Sequence, residues 1–410
     1  MAAGEWADGG SNLSKINLDI DRIKKNLETV ANRYNSGEPG YTRLAFSNEE
    51  DQAIDWVAEE LRSYGARIRK DAVGNLYGRI GPETAPVIAF GSHLDTVKNG
   101  GLFDGALGVF TGLECIRALK DHMDDSKVAF ELVCFKGEEG NPLGGTFGSR
   151  TVTGQVDSEE FDEGLLTSLG VTKESITEAA GTLPDYRAFL ELHIEQGTVL
   201  ENNQNKTGIV TNIAGISRSH IKVLGTPGHS GTMPMNFRDD ALVYASEIVL
   251  RINQEVKKFT DGTVATVGQL KVMPNLATVI PGEVELTFEV RSGNQESIHS
   301  FEQEILEWVK ANYHVEITPG VKKKASKLSE NVREVLNQAA SKLGLPVMEL
   351  VSGANHDANT LTPYTEVGML FVPSIKGISH NPEEDSDWAY IGNAATIMLE
   401  ALLTYKDEHS

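Results

Sequence analysis

Gly91-Ser-His93-Leu-Asp95-Thr-Val-Lys98-Asn-Gly-Gly101-Leu-Phe-Asp104-Gly105 lies between two apolar runs of different length. Before it, Pro86-Val-Ile-Ala-Phe90 is a continuous apolar run of strand length. After it, Ala106-Leu-Gly-Val-Phe-Thr-Gly-Leu-Glu-Cys-Ile-Arg-Ala-Leu119 has the length of a buried helix. The strand is expected to stop at Gly91, leaving a loop that carries one His and two Asp. Ligand-type side chains at the C-terminal end of a buried strand, just ahead of a helix, sit where open α/β sheets build their active sites. A His and an Asp in a loop ordinarily mean a turn. His-x-Asp followed by Gly-Gly-x-x-Asp-Gly between two apolar elements reads instead as a metal site.

Working outward, helices are expected over 18–34 and from Ser47 to Tyr64, the second with Ser47 as N-cap and Glu50 completing a capping box. Strands follow at 66–70, 75–80 and 128–135. The acidic stretch 155–185 reads as helices and loops over the site, and Phe189-Leu-Glu-Leu-His193-Ile194 as another strand. Apolar strands alternating with helices predict a mixed sheet under helices. From 208 to 328 the pattern changes to β-α-β-β-α-β: strands 219–225, 263–270, 283–291 and 315–318, with helices 239–256 and 296–311. That order predicts a small ferredoxin-like domain inserted in the larger one. Lys322-Lys-Lys324 reads as a solvated hinge on the way back. The expected catalytic domain is therefore discontinuous, 1–207 and 329–410, around a 208–328 insert.

Length and charge narrow the classes. A chain of 410 residues exceeds the usual single core. A formal charge of −22 argues against nucleic acid or an anionic membrane as partner. The opening Met1-Ala-Ala-Gly-Glu-Trp-Ala-Asp8 has neither a basic nor an apolar leader region, so a cytoplasmic protein is expected. Cys115 and Cys134 fall in apolar segments and fit buried free thiols.

Four later segments complete the chemistry: Phe135-Lys-Gly-Glu138-Glu139-Gly140, His193-Ile-Glu195-Gln196-Gly197, Gly353-Ala354-Asn355-His356-Asp357 and Gly377-Ile-Ser-His380. The adjacent Glu138 and Glu139 allow one carboxylate to bind metal while the other faces the water it activates. Three His and two carboxylates at strand ends can build two metal sites sharing one carboxylate, ~3.5–4 Å apart in such pairs. Nitrogen and oxygen donors without cysteine suit Zn²⁺, Mn²⁺, Co²⁺ or Ni²⁺ and do not choose among them. In the insert, Gly225-Thr-Pro-Gly-His229-Ser-Gly231 displays a His. Met273-Pro-Asn275 offers an amide, and Phe288-Glu-Val-Arg291 offers a guanidinium able to grip a carboxylate.

Together these motifs, with Gly228-His229-Ser-Gly231, resemble the hydantoinase/carbamoylase-type amidases, a branch of the two-metal aminoacylases and carboxypeptidases. The resemblance covers nearly the whole chain beyond its first residues. His-Ile-Glu-Gln-Gly is its specific part, because the peptidases of the group usually place an acidic ligand where His193 stands. The resemblance implies a di-metal catalytic domain with an inserted lid and dimerisation domain. One metal would take His93, Asp104 and His193, and the other Asp104, Glu139 and His380. Glu138 would be the general base and acid, Asp95 would orient His93, and His229, offered to the neighbouring subunit of a homodimer, would stabilise the oxyanion. Gln196, Asn275, Arg291, Gly353, Ala354 and His356 would bind a small carboxylate substrate, with Arg291 on the carboxylate.

The chain departs from the family pattern at Lys98, at Asn141-Pro-Leu143 after the Glu pair, and at Asn355 beside His356. None removes a ligand. The leading expectation is hydrolysis of N-carbamoyl-L-amino acids, because Phe371-Val-Pro-Ser374 reads closer to the carbamoylase branch. Allantoate, or another carbamoyl or acyl amide, is the alternative, and a metal-binding dimer without turnover is the non-enzyme reading.

Overall fold

In the computed structural model, residues 16–37, 39–123 and 126–407 are described; the N-terminal residues read above for a leader lie outside them. Four mutually parallel strands form the centre of the larger sheet, in the order Ala129–Phe135, Val87–His93, Tyr186–Ile194, Glu366–Val372. Leu76–Ile80 and Arg67–Lys70 extend it antiparallel at one edge. The central strands are buried almost throughout, which is why their sequences run apolar rather than alternating. Register sets their ends level: His93 pairs with Phe135, and His193 with Phe371.

Helix Ala106–Leu119 is buried at every residue but Arg117, as its all-round apolar sequence requires. It shares one core with Ile20–Arg33, Asn48–Ser63, Glu330–Leu343 and Trp388–Asp407. The 155–185 region forms short helices on a satellite core of Val73, Leu143, Phe147, Leu166 and Ile176.

The strand expected to stop at Gly91 runs on to His93. Gly91 has φ 154°, and a Cβ there would meet the Val133 carbonyl oxygen at 1.8 Å. The glycine therefore lets two strands approach closely inside the sheet and does not end the strand. Ser47 caps Asn48–Ser63 through the Glu50 N–H, but the Glu50 side chain does not close the capping box. Its oxygens accept from Phe46 N (2.5 Å) and Gly137 N (2.9 Å) instead.

The chain divides into two compact units, one of residues up to Val210, Leu328–Leu350 and from His356 on, the other of Thr211–Lys327 with Val351–Asn355. The second unit is a four-stranded antiparallel sheet in the order Val315–Lys323, Gly215–Leu224, Glu283–Ser292, Val264–Met273. Helices Ala241–Val256 and Gln295–Asn312 pack on it over Ile221, Ile248, Phe288, Phe301 and Ile305. This is the ferredoxin-like strand order. Lys322 and Lys323 are not a hinge: they pair with Ser217 and Ile216, and Lys322 Nζ lies 3.0 Å from Glu302 Oε2. Residues 351–355, which the sequence reading put with the larger domain, cluster here because Val351 packs at Gly293 and Arg291 bonds the Gly353 carbonyl.

Candidate active site

The parallel strands bring their candidate ligands to one end. His93 closes its strand, His193 lies one residue before the end of the next, Glu138 and Glu139 follow Ala129–Phe135, and His380 follows Glu366–Val372. Asp104, from the loop before the buried helix, lies between them. Its Oδ1 is 3.2 Å from His193 Nε2 and 3.9 Å from His93 Nε2, and its Oδ2 is 3.1 Å from His380 Nε2. Glu139 Oε1 stands 3.3 Å from the same His380 nitrogen. One carboxylate thus serves two ligand groups, His93–Asp104–His193 and Asp104–Glu139–His380, each with donor atoms within 4.8 Å of one another.

The candidate donors converge on Asp104. His93 Nδ1 bonds the Asp95 carbonyl (3.0 Å) and His193 Nδ1 the Ile194 carbonyl (2.9 Å). Both rings are thereby oriented with Nε2 facing the site. Glu139 Oε1 is buried without a hydrogen bond, its approach to His380 being off any bonding direction. An orphaned buried carboxylate oxygen beside the His380 imidazole and the Asp104 carboxylate fits a divalent cation. A third grouping, Glu191–His193–His356, is spent differently: Glu191 accepts from Ser92 Oγ (2.6 Å) and Ala358 N (2.9 Å).

Gly105 makes the approach possible. It has φ 64°, and a Cβ would lie 2.3 Å from His93 Cε1 and 2.4 Å from Nε2. Gln196 and His380 also hold positive φ, 57° and 54°, a conformation that side chains rarely adopt and that clusters at functional sites.

Glu138 is nearly buried, with Oε2 3.6 Å from His93 Nε2. Burial, reinforced by Asp357, Glu139 and Asp95, pushes its carboxyl well above the usual range against the pull of His93. Burial also opposes ionisation of Asp104, but its hydrogen bonds to His193 and His380 outweigh that and hold it well below. A carboxyl that takes up protons readily beside one that stays charged suits proton transfer next to a fixed ligand.

The loop carrying the Glu pair is held amide by amide. Lys136 N donates to Asn75 Oδ1 (2.9 Å), Gly137 N to Glu50 Oε1 (2.9 Å), Glu138 N to Asp95 Oδ1 (3.1 Å) and Glu139 N to Asp95 Oδ2 (2.9 Å). Asp95 therefore does more than face His93, whose Nδ1 is 3.4 Å away. Glu50 is a positioning residue that sequence reading missed. Ser379 and Glu384 were missed too: Gln196 Nε2 reaches Asp104 Oδ2 (2.9 Å) and Ser379 Oγ (3.1 Å), and Glu384 Oε1 takes the N–H groups of Phe103 and Asp104.

His356 is buried edge-on against the His193 ring at 4.6 Å, and burial holds it neutral. In the second unit, His229 and Asn275 are exposed. Arg291 is half-exposed and bonds the Gly353 carbonyl, while Ala354 N and O are both bonded to Ser352 Oγ.

The model for peptidase family M20/M25/M40 matches residues 89–404. The chain belongs to that family. It is 35% identical over 401 residues to an N-carbamoyl-L-amino-acid amidohydrolase of Paenarthrobacter aurescens, covering 93% of this chain and 97% of that one. An allantoate amidohydrolase of Bacillus subtilis is 33% identical over 390 residues, covering 91% and 94%. A crystal structure of a hydantoinase/carbamoylase family amidase from Burkholderia multivorans superposes with a TM-score of 0.86 at 29% identity, covering 95% and 98%. The protein is an amidohydrolase of this branch, with an M20-type mixed α/β catalytic fold. No helix among the described residues is long and apolar enough to cross a membrane.

Proposed function

We propose that the protein hydrolyses the ureido C–N bond of N-carbamoyl-L-amino acids, giving the L-amino acid, ammonia and carbon dioxide. The observation that carries this is the Asp104 carboxylate, with one oxygen toward His93 and His193 and the other toward His380, beside the proton-accepting Glu138. The first group would hold one divalent cation and Asp104, Glu139 and His380 a second, with Zn²⁺ or Mn²⁺ suited and Co²⁺ or Ni²⁺ chemically acceptable. Such ions supply Lewis acidity to the ureido carbonyl and acidify water. Glu138 takes the proton from the attacking water and returns it to the departing nitrogen. Asp95 and Glu50 keep Glu138 and Glu139 in their separate directions. As the family resemblance implies, Arg291 would take the substrate carboxylate, Gln196, Asn275, Gly353, Ala354 and His356 would contact the substrate, and His229 of the neighbouring subunit would stabilise the oxyanion.

The same reading makes the protein a homodimer through the smaller unit. Strand Val264–Met273 is a sheet edge with one side unpaired, and Val264 and Leu270 on it are exposed, as are Val243 and Leu250 of helix Ala241–Val256. An unpaired edge flanked by apolar side chains is a pairing surface.

Relatives named for N-carbamoyl-L-amino acids and for allantoate both cover the chain. Ammonia release from N-carbamoyl-L-methionine and from allantoate, side by side, tests the substrate. Faster release from the first is expected; faster release from allantoate overturns the substrate assignment and leaves the mechanism standing.

A further inference from the structure

Arg291 lies on the outward face of the four-stranded sheet, where Glu283–Ser292 alternates between core and solvent. Its guanidinium is engaged twice: Nε donates to Glu289 Oε1 (2.7 Å), and Nη1 to the Gly353 carbonyl (3.1 Å). An arginine has five N–H donors, so the remaining ones are available to a ligand. Glu289 is also held by Arg218, its register partner on the neighbouring strand. Arg218 Nε donates to Glu289 Oε2 at 2.8 Å, and Arg218 Nη2 reaches the same oxygen. The two guanidinia divide one carboxylate, an oxygen each. Nothing in the reaction above uses Arg218.

A glutamate two residues from a carboxylate clamp is an awkward neighbour. Arginine and carboxylate favour a two-point fork, so a Glu289 with both oxygens free would neutralise Arg291 and compete with the ligand. Arg218 occupies one oxygen and adds a positive charge, leaving the three side chains with a net charge of one plus. Partial burial pushes the Glu289 carboxyl up, but its hydrogen bonds to Arg291 and Arg218 outweigh that and keep it below the usual range. The bridging carboxylate therefore stays charged at neutral pH.

We propose that Arg218 is a positioning residue for carboxylate recognition: by holding Oε2 of Glu289 it keeps the Arg291 guanidinium oriented and free for the substrate. This rests on the reading of Arg291 as the carboxylate clamp. The test compares Arg218→Met, Arg218→Met/Glu289→Gln and Arg291→Ala on N-carbamoyl-L-methionine and on its carboxamide, which lacks the negative charge. Arg218→Met is expected to raise KM for the acid roughly tenfold, the worth of one charge-assisted hydrogen bond. The change is carried by KM rather than kcat, and KM for the carboxamide stays where it was. Adding Glu289→Gln removes the competing charge and brings KM for the acid back toward the wild-type value, which a merely structural role would not do. An unchanged KM in Arg218→Met, an equal rise on both substrates, or no recovery in the double variant overturns the proposal. Arg291→Ala separates the failures. If it leaves KM for the acid unchanged, the clamp reading is wrong and the positioning role falls with it. If it raises KM while Arg218→Met does not, the positioning role alone is lost.

Discussion

Replacing Asp95 by asparagine perturbs the site without opening a cavity. The Asp95 carboxylate accepts from Glu138 N at 3.1 Å and Glu139 N at 2.9 Å, one oxygen each. Asparagine keeps one oxygen and turns an NH₂ toward the other amide, so one buried N–H faces a donor. His93 keeps its bond to the residue 95 carbonyl, so its ring orientation is retained. The lost charge-assisted hydrogen bond is worth roughly 1.5–3 kcal/mol. If the displaced loop passes that to the transition state, kcat/KM falls roughly 10- to 100-fold. The assay is ammonia release at saturating metal, with metal content measured on the same samples by mass spectrometry. Asp95→Ala, which leaves both amides without an acceptor, is expected to fall further. Asp95→Asn within about twofold of wild type at equal metal content would refute the reasoning, because a twofold change is under 0.5 kcal/mol.

Gly105→Ala places a methyl 2.3 Å from His93 Cε1 at φ 64°. It is expected to lower bound metal and activity together, and a variant with full metal content would show that the loop can move aside. Glu50 carries the pH prediction. Burial, then the nearby Asp95, raises its carboxyl to about 7 from an ordinary 4.5, with Lys136 opposing. The folded state therefore holds a proton that the unfolded chain releases, so this contribution to stability is complete below the unfolded pKa and is lost as pH rises through about 7. The loss reaches up to roughly 3 kcal/mol. Glu50→Gln is expected to flatten the change in urea midpoint between acid and alkaline pH while lowering kcat, since Phe46 N and Gly137 N each donate to one Glu50 oxygen and glutamine turns an NH₂ toward one of them. A pH dependence identical to that of wild type would contradict the assignment.

The candidate ligands were legible because His93, His193 and Glu139 stand at or just beyond the end of an apolar strand, while Asp104 and His380 lie in the loops that follow such strands. His93, His193 and Glu139 needed only that the strands be parallel, so that their ends meet; Asp104 and His380 needed the following loops to fold back over those ends. What the sequence hid was pairing across distance. Glu50, three residues after Ser47, has the spacing of a capping box, and nothing local says that its side chain goes instead to Gly137. Arg218 has the alternation of any solvent-facing strand residue, and its partner Glu289 is fixed by register. Gly91 reads as a strand end because glycine usually punctuates; its reason is the carbonyl of Val133 on the next strand. Residues 351–355 followed the apolar pattern of the larger domain, but Val351 packs at Gly293 and the Gly353 carbonyl accepts from Arg291, both in the smaller unit.

Metal content and turnover of Glu138→Gln, measured on one preparation beside wild type, test the central claim most directly. Glu138 makes no part of either ligand group, so both proteins are expected to hold equal metal. Ammonia release from the variant is expected to fall by roughly 10³-fold or more, the scale of a lost general acid–base. Turnover near that of wild type at equal metal content would contradict the assignment of Glu138 as the proton carrier, and with it the reaction read from this site.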